Sequence, residues 1–252
     1  MKNDLLTIGP LTIHGYGLMI AIGILAACLV ASYRAKRVDL NADHIGSLVL
    51  WSLLGGVLGA KLLYWFTQLN NIIQNPRILL NLTEGFVVYG GIIGGILAGY
   101  LYCRIKKLNF LKYFDLLVPS VALAQGFGRI GCFLAGCCYG METTSHFGVI
   151  FPEHSLAPSG VRLIPTQLIS SGLDFLLFIA LVLFAKKKKR DGQVAALYLI
   201  LYSAGRFVLE FFRGDLVRGH VGALTTSQFI SIFILLFSIC LMIVSVRKKK
   251  LK

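Results

Sequence analysis

The sequence predicts an all-α protein that crosses a membrane seven times. Three observations predict it: long apolar runs, scarce charge, and basic clusters at regular intervals. Of 252 residues only 14% are charged, and the mean hydropathy is +0.76; soluble domains carry about a quarter charged residues. Apolar runs cover 13–33, 45–67, 86–103, 113–136, 166–185, 194–212 and 226–246. As a helix, each is long enough for a hydrocarbon core about 30 Å thick. The chain reads as one integral-membrane domain over 1–252.

The basic clusters orient it. RAKR (34–37), RIKK (104–107) with Lys112, KKKKR (186–190) and RKKKLK (247–252) hold 17 of the 25 Lys and Arg. They fall on alternate connections, so the positive-inside rule puts all four in the cytoplasm, with the N-terminus outside and the C-terminus inside. The outer loops 68–85, 138–165 and 213–225 carry only Arg77, Arg162, Arg213 and Arg218. The net charge of +14 is therefore topogenic, and without groove-reading context no nucleic-acid partner is expected. LAAC (25–28) has the form of a lipobox, but the apolar run continues past it to RAKR. Cys28 therefore reads as a small buried hydrophobe.

Ionisable groups inside spans are functional candidates, because each is costly unless paired or facing water. In this topology His14, Tyr16, Lys61, Glu84, Tyr89, Arg129, Arg206, Glu210 and Arg213 all fall in one layer, at the outer leaflet. In GRFVLEFFRGD (205–215), Arg206, Glu210 and Arg213 recur at i, i+4 and i+7, one face of a helix. The trio reads as a salt-bridged stitch at the helix end or as an anion site. With Arg129 and Lys61 in the same layer the anion reading leads, since arginine suits bidentate phosphate recognition. The natural anion of an outer leaflet is a phospholipid head group.

GGVLG (55–59) and GGIIGG (90–95) carry the small-residue spacing that lets membrane helices approach closely. Gly90 and Gly91, beside Tyr89, also leave room for a ligand near the backbone. Cys103 and Cys240 read as packing residues. Cys132, Cys137 and Cys138 fall at the outer face, where an oxidising setting permits a disulfide from Cys132 to either neighbour. CxxxxCC matches no common zinc spacing, and Glu142, His146, Glu153 and His154 are scattered, so no metal or other cofactor is expected. The loop 138–165 reads as a lid or acceptor-binding loop over the arginine layer. A short amphipathic stretch after Pro76 reads as interfacial.

Six segments together resemble the bacterial prolipoprotein diacylglyceryl transferase family: IHGYGLM (13–19), GAKLLYWF (59–66), GFVVYGGIIGG (85–95), GRIGCFLAGCCYG (128–140), IPTQL (164–168) and GRFVLEFFRGD. Their order and spacing run along nearly the whole chain. The resemblance implies transfer of the diacylglyceryl group of phosphatidylglycerol to the lipobox cysteine thiol of a preprolipoprotein. Glycerol 1-phosphate is released, at the outer face of the bacterial cytoplasmic membrane. It implies that His14 and Tyr16 match the first motif, Arg129 and Gly140 the ends of the signature, and Arg206 and Glu210 the pair of the sixth span. Arg129 and Arg206 would bind the phosphate, Glu210 would orient Arg206, and Tyr16 and Tyr89 would meet the head group or thiol. Lys61, Gly90, Gly91, Cys132, Cys137 and Arg213 complete the expected substrate-binding set.

The chain also departs from that pattern. Tyr89 stands where the family usually has a histidine, a candidate base. Cys132 and Ala135 replace two asparagines, Cys137 a glutamate, Ile169 and Ser170 a Tyr-Glu pair, and Lys61 an arginine. Two further readings follow. One is a paralogue with another thiol acceptor or a cysteine relay; the other is a non-catalytic outer-leaflet binder of lipid or lipoprotein. A transporter is disfavoured because the ionisable groups gather at one face.

Overall fold

The structure is a computed structural model and describes residues 4–8, 11–81, 84–215 and 219–247. Arg218 and the tail from Lys248, part of the fourth basic cluster, lie outside the described residues. In chain order the elements are β1 (Asp4–Ile8), β2 (Leu11–His14), α1 (Gly15–Arg37), α2 (Asp43–Thr67), α3 (Leu69–Gln74) and a 3-10 turn (Pro76–Leu80). Then come α4 (Val88–Ile105), α5 (Phe110–Ala135), β3 (Val149–Ile150), β4 (Arg162–Leu163), α6 (Thr166–Ala185) and α7 (Gln193–Leu209). A second 3-10 turn (Glu210–Phe212), β5 (His220–Val221), β6 (Leu224–Thr225) and α8 (Thr226–Arg247) complete the chain.

Seven helices among the described residues are long and apolar enough to span a membrane: α1, α2, α4, α5, α6, α7 with its 3-10 extension, and α8. Each lies within a few residues of its expected run. The first starts late. Leu11–His14 pairs antiparallel with β1, Thr7 opposite Thr12 and Ile8 opposite Leu11. Its β-branched Thr12 and Ile13 favour extended chain, so the helix begins at Gly15 rather than at Ile13.

The chain divides into two compact units, residues 31–113 and residues 1–30 with 114–252. In the unit 31–113, α2 and α4 pack through glycine. A Cβ at Gly55 would lie 2.7 Å from the Gly94 carbonyl oxygen, and one at Gly59 would lie 2.9 Å from the Gly94 Cα. A Cβ at Gly94 would strike the Gly55 carbonyl, and one at Gly90 the Gly59 carbonyl. The two backbones touch, so Gly94→Ala is expected to lower stability by roughly 1–3 kcal/mol, the usual cost of overpacking. Gly46→Ala, with nothing within 4 Å of its Cβ, should be neutral or gain up to about 1 kcal/mol of helix propensity. Thermal unfolding in detergent checks the pair, and equal midpoints for the two variants would refute the glycine contact.

The unit 1–30 with 114–252 has its apolar core where α5, α6 and α7 meet, at Val118, Ala122, Leu177, Leu181, Val194 and Ala195. Polar groups are also drawn inside, because lipid cannot satisfy them. Ser171 donates to the Gly126 carbonyl at 2.9 Å, and Tyr198 to Gln125 Oε1 at 2.9 Å. At one end, buried Asp115 of α5 accepts from the Gly192 and Ala195 N–H groups at 2.8 and 3.0 Å and from Lys188 Nζ at 3.0 Å. Leucines such as Leu29 and Leu176, 72% and 63% exposed, point outward, the arrangement of a protein solvated by lipid.

Candidate active site

A cleft of about 300 Å³ opens between α6 and α7. Leu173, Leu176, Leu177 and Ala180 form one wall, and Leu201 and Leu209 the other. Arg129 of α5, Arg206 of α7, Asp174 and Tyr202 stand at its polar positions. Helical spacing builds the walls: 173, 176, 177 and 180 are i, i+3, i+4 and i+7 along α6.

The two arginines differ in their support. Arg206 Nη2 lies 2.6 Å from Glu210 Oε2 and donates to Ser227 Oγ of α8 at 3.1 Å. Glu210 is 3% exposed and Arg206 14%, so a buried carboxylate fixes a cation whose remaining donors reach the cleft. The Arg129 side chain makes no hydrogen bond or ion pair among the described residues. Tyr202, Cys132, Asp174 and Cys138 lie near enough to act on its charge. A guanidinium carries five donors, so both side chains have capacity for an anion.

The third member of the expected helical stripe is not on it. The chain tightens into a 3-10 turn at Glu210–Phe212, and Arg213 is extended, φ −83°, ψ 140°. Its guanidinium grips Asp215 through two hydrogen bonds of 2.8 and 2.6 Å. The i+7 relation fails because the α-helix ends at Leu209. Arg213 bridges Gly140 instead. The Gly140 N–H donates to the Ile164 carbonyl at 2.9 Å, and a Cβ there would lie 2.7 Å from that oxygen and 2.8 Å from Phe212 O. Gly140 is thus the crossing point of three segments.

Beside this crossing, the Sγ atoms of Cys132, Cys137 and Cys138 lie within 4.8 Å of one another. Among the described residues no disulfide links any of the six cysteines. Hydrogen bonds from the Cys132 and Cys137 thiols hold the Cys138 thiol well below the usual thiol range, and the Arg213 guanidinium adds to the effect. Tyr16, at the start of α1, packs on α5, where a Cβ at Gly131 would lie 3.2 Å from its ring. His14 ends β2, opposite Asp4. The loop 138–165 has its own small core of Phe151, Ala157 and Leu163.

In the other unit, Lys61 is buried and donates to the Asn81 and Glu84 carbonyls at 2.6 and 2.5 Å, ringed by Tyr64, Trp65 and Phe86. Its ammonium thus ties down the chain that leads into α4. Tyr89 stands in the first turn of α4, 39% exposed. Gly90 and Gly91 face the carbonyls of Gly59 and Gly56 on α2, which is the packing role.

The family profile described as "Prolipoprotein diacylglyceryl transferase" matches residues 3–244. The chain belongs to the prolipoprotein diacylglyceryl transferase family. It is 52% identical over 239 residues to the phosphatidylglycerol–prolipoprotein diacylglyceryl transferase of Clostridium tetani, covering 95% of this chain and 96% of the relative. Transferase 2 of Clostridium perfringens is 49% identical over 233 residues, covering 92% and 90%. The enzyme of Legionella pneumophila strain Paris is 36% identical over 243 residues, covering 93% of both chains.

In this family member, Asp174 and Tyr202 join the cleft without having been singled out from the sequence. Asp174 had a signal, a lone carboxylate in the apolar run LISSGLDFLLF. Tyr202 had none, since tyrosine is common in such spans. Gln167 and Thr166, within IPTQL, also act on the site. Gln167 Nε2 donates to the Cys137 carbonyl at 2.8 Å and Thr166 Oγ1 to the Cys138 carbonyl at 2.9 Å.

Proposed function

We propose that this chain transfers the diacylglyceryl group of phosphatidylglycerol to the cysteine thiol of a prolipoprotein, at the outer face of the bacterial cytoplasmic membrane. One observation carries the reading. Two arginines with open donors stand at the polar positions of an otherwise leucine-walled cleft. The walls suit acyl chains and the guanidinium forks suit a phosphate. As the glyceryl C–O bond breaks, negative charge grows on the departing glycerol phosphate, and fixed cations in a low-dielectric site lower that barrier. Glu210 holds Arg206 in position through the transfer. The acceptor attacks as thiolate.

A relay through the chain's own cysteines is the weaker reading, because a diacylglyceryl thioether on Cys138 has no good leaving group for a second transfer. The test uses purified protein in mixed micelles, phosphatidylglycerol labelled in its head group and a lipobox peptide. Release of glycerol phosphate is expected, with a diacylglyceryl mass gain on the peptide. If the Clostridium tetani relative turns over in parallel while this chain binds lipid without release, the non-catalytic reading replaces the transferase.

A further inference from the structure

The cysteine cluster is built by the way α5 ends. Gly136, at φ +74°, lets the chain reverse. The Gly136 N–H reaches the Phe133 carbonyl at 3.2 Å and the Cys137 N–H the Cys132 carbonyl at 3.1 Å. This 5→2 and 6→1 pair is a Schellman closure, which sets the second residue past the helix against the third from its end. Here those residues are Cys137 and Cys132. Cys138 follows in the left-handed region at φ +63°, unusual for a residue with a Cβ. The Gln167 and Thr166 side chains, 1% and 2% exposed, then fix the carbonyls of Cys137 and Cys138 from α6. Among the described residues, no other group of three or more His, Cys, Asp or Glu side chains has ligand atoms so close.

We propose that Cys132, Cys137 and Cys138 bind a thiophilic d10 cation, zinc, whose fourth position takes the thiol of the acceptor cysteine. The acceptor half of this inference rests on the transferase reading. A tetrahedral zinc with Zn–S bonds of about 2.3 Å needs sulfurs about 3.8 Å apart. The three sulfurs, within 4.8 Å, close to that spacing by rotations about their side-chain bonds. Three protein ligands and an open position are the pattern of a catalytic rather than a structural zinc. All-sulfur ligation favours zinc over calcium or magnesium. Three thiolates and Zn2+ leave one net negative charge, and the guanidinium of Arg213, which also holds Asp215, stands beside Cys138. The hydrogen bonds of Gln167 and Thr166 are the outer support such a site needs.

The chemistry answers a gap in the chain. Tyr89 occupies the position of the expected histidine base, whereas a thiol bound to zinc is deprotonated outright. On binding, the acceptor thiol releases its proton to water. A sulfur lone pair then forms the S–C bond to the glyceryl carbon as the C–O bond breaks. The electron pair leaves on the glycerol phosphate, and the thioether product, a poorer ligand than a thiolate, dissociates.

The full chain, purified in detergent under reductant, is stripped with chelator and then loaded with Zn2+, or with Co2+ as a spectroscopic probe. About one zinc per chain is expected, with thiolate-to-cobalt charge-transfer absorption. The Cys132→Ser, Cys137→Ser and Cys138→Ser variants should each bind at least about 10-fold more weakly, while Cys103→Ser binds as before. A lipobox peptide should shift the cobalt spectrum, and its Cys→Ser version should not. Zinc retained by the triple serine variant overturns the proposal. So does a Cys132–Cys137 disulfide in the purified chain combined with no zinc uptake after reduction. Equal glycerol phosphate release from stripped and loaded protein overturns the acceptor role and leaves the transferase standing. Stoichiometric zinc with no release from either form overturns the transferase and leaves the metal site.

Discussion

Arg206→Ala is expected to lower kcat/KM for diacylglyceryl transfer by about 100- to 1000-fold, the usual loss when a preorganised charge-stabilising donor is removed. The same substitution strips Glu210, 3% exposed, of its counter-ion, and an orphaned buried charge costs roughly 3–5 kcal/mol. A fall in activity alone would therefore be ambiguous. Arg206→Ala combined with Glu210→Gln separates the two effects: removing the orphaned charge should restore the melting midpoint while transfer stays lost. Arg206→Lys keeps the charge without the fork and should fall between the wild type and Arg206→Ala. Initial rates of glycerol phosphate release, with melting curves for each variant, check the series. A double variant within about threefold of wild-type rate would remove Arg206 from the site.

The largest stability effect is expected at the other end of the same unit. Asp115→Ala should cost roughly 3–5 kcal/mol, lowering the melting midpoint in detergent by about 10 °C. Asp115, 1% exposed, is the acceptor for two N–H groups at the start of α7 and for Lys188. Removing it leaves two donors at a helix N-terminus without their acceptor, and Lys188 with Asp191 alone. Asp115→Asn keeps an acceptor oxygen but loses the charge that favours a helix start, so its cost should be about half. An Asp115→Ala midpoint within about 1 °C of wild type would show that the contact contributes nothing.

Asp115 and Asp174 also mark where sequence reading fell short. Both are carboxylates in apolar spans, so their cost in lipid was plain. The groups around them, however, come from elsewhere in the chain, Lys188, Gly192 and Ala195 for Asp115 and Arg129 for Asp174, and no spacing along one helix reveals them. The seven spans were legible because hydrophobic length alone determines them. Arg206 and Glu210 were legible because i, i+4 is an intrahelical relation. Arg213 was misplaced because that relation was carried one turn past the helix end. The three cysteines could not be understood from CxxxxCC, since the reversal at Gly136 turns sequence distance into contact.

The leucine walls of the cleft have one more consequence. Leu173, Leu176 and Leu201 are each between 42% and 63% exposed, on surface that faces hydrocarbon rather than water. On the proposed assignment, a lipid would slide in sideways with its tails never leaving the bilayer, and its encounter with Arg129 and Arg206 would be a two-dimensional search. The half-saturating quantity of donor should then follow its mole fraction in the micelle or membrane. Diluting the whole suspension with buffer would leave the rate per enzyme unchanged.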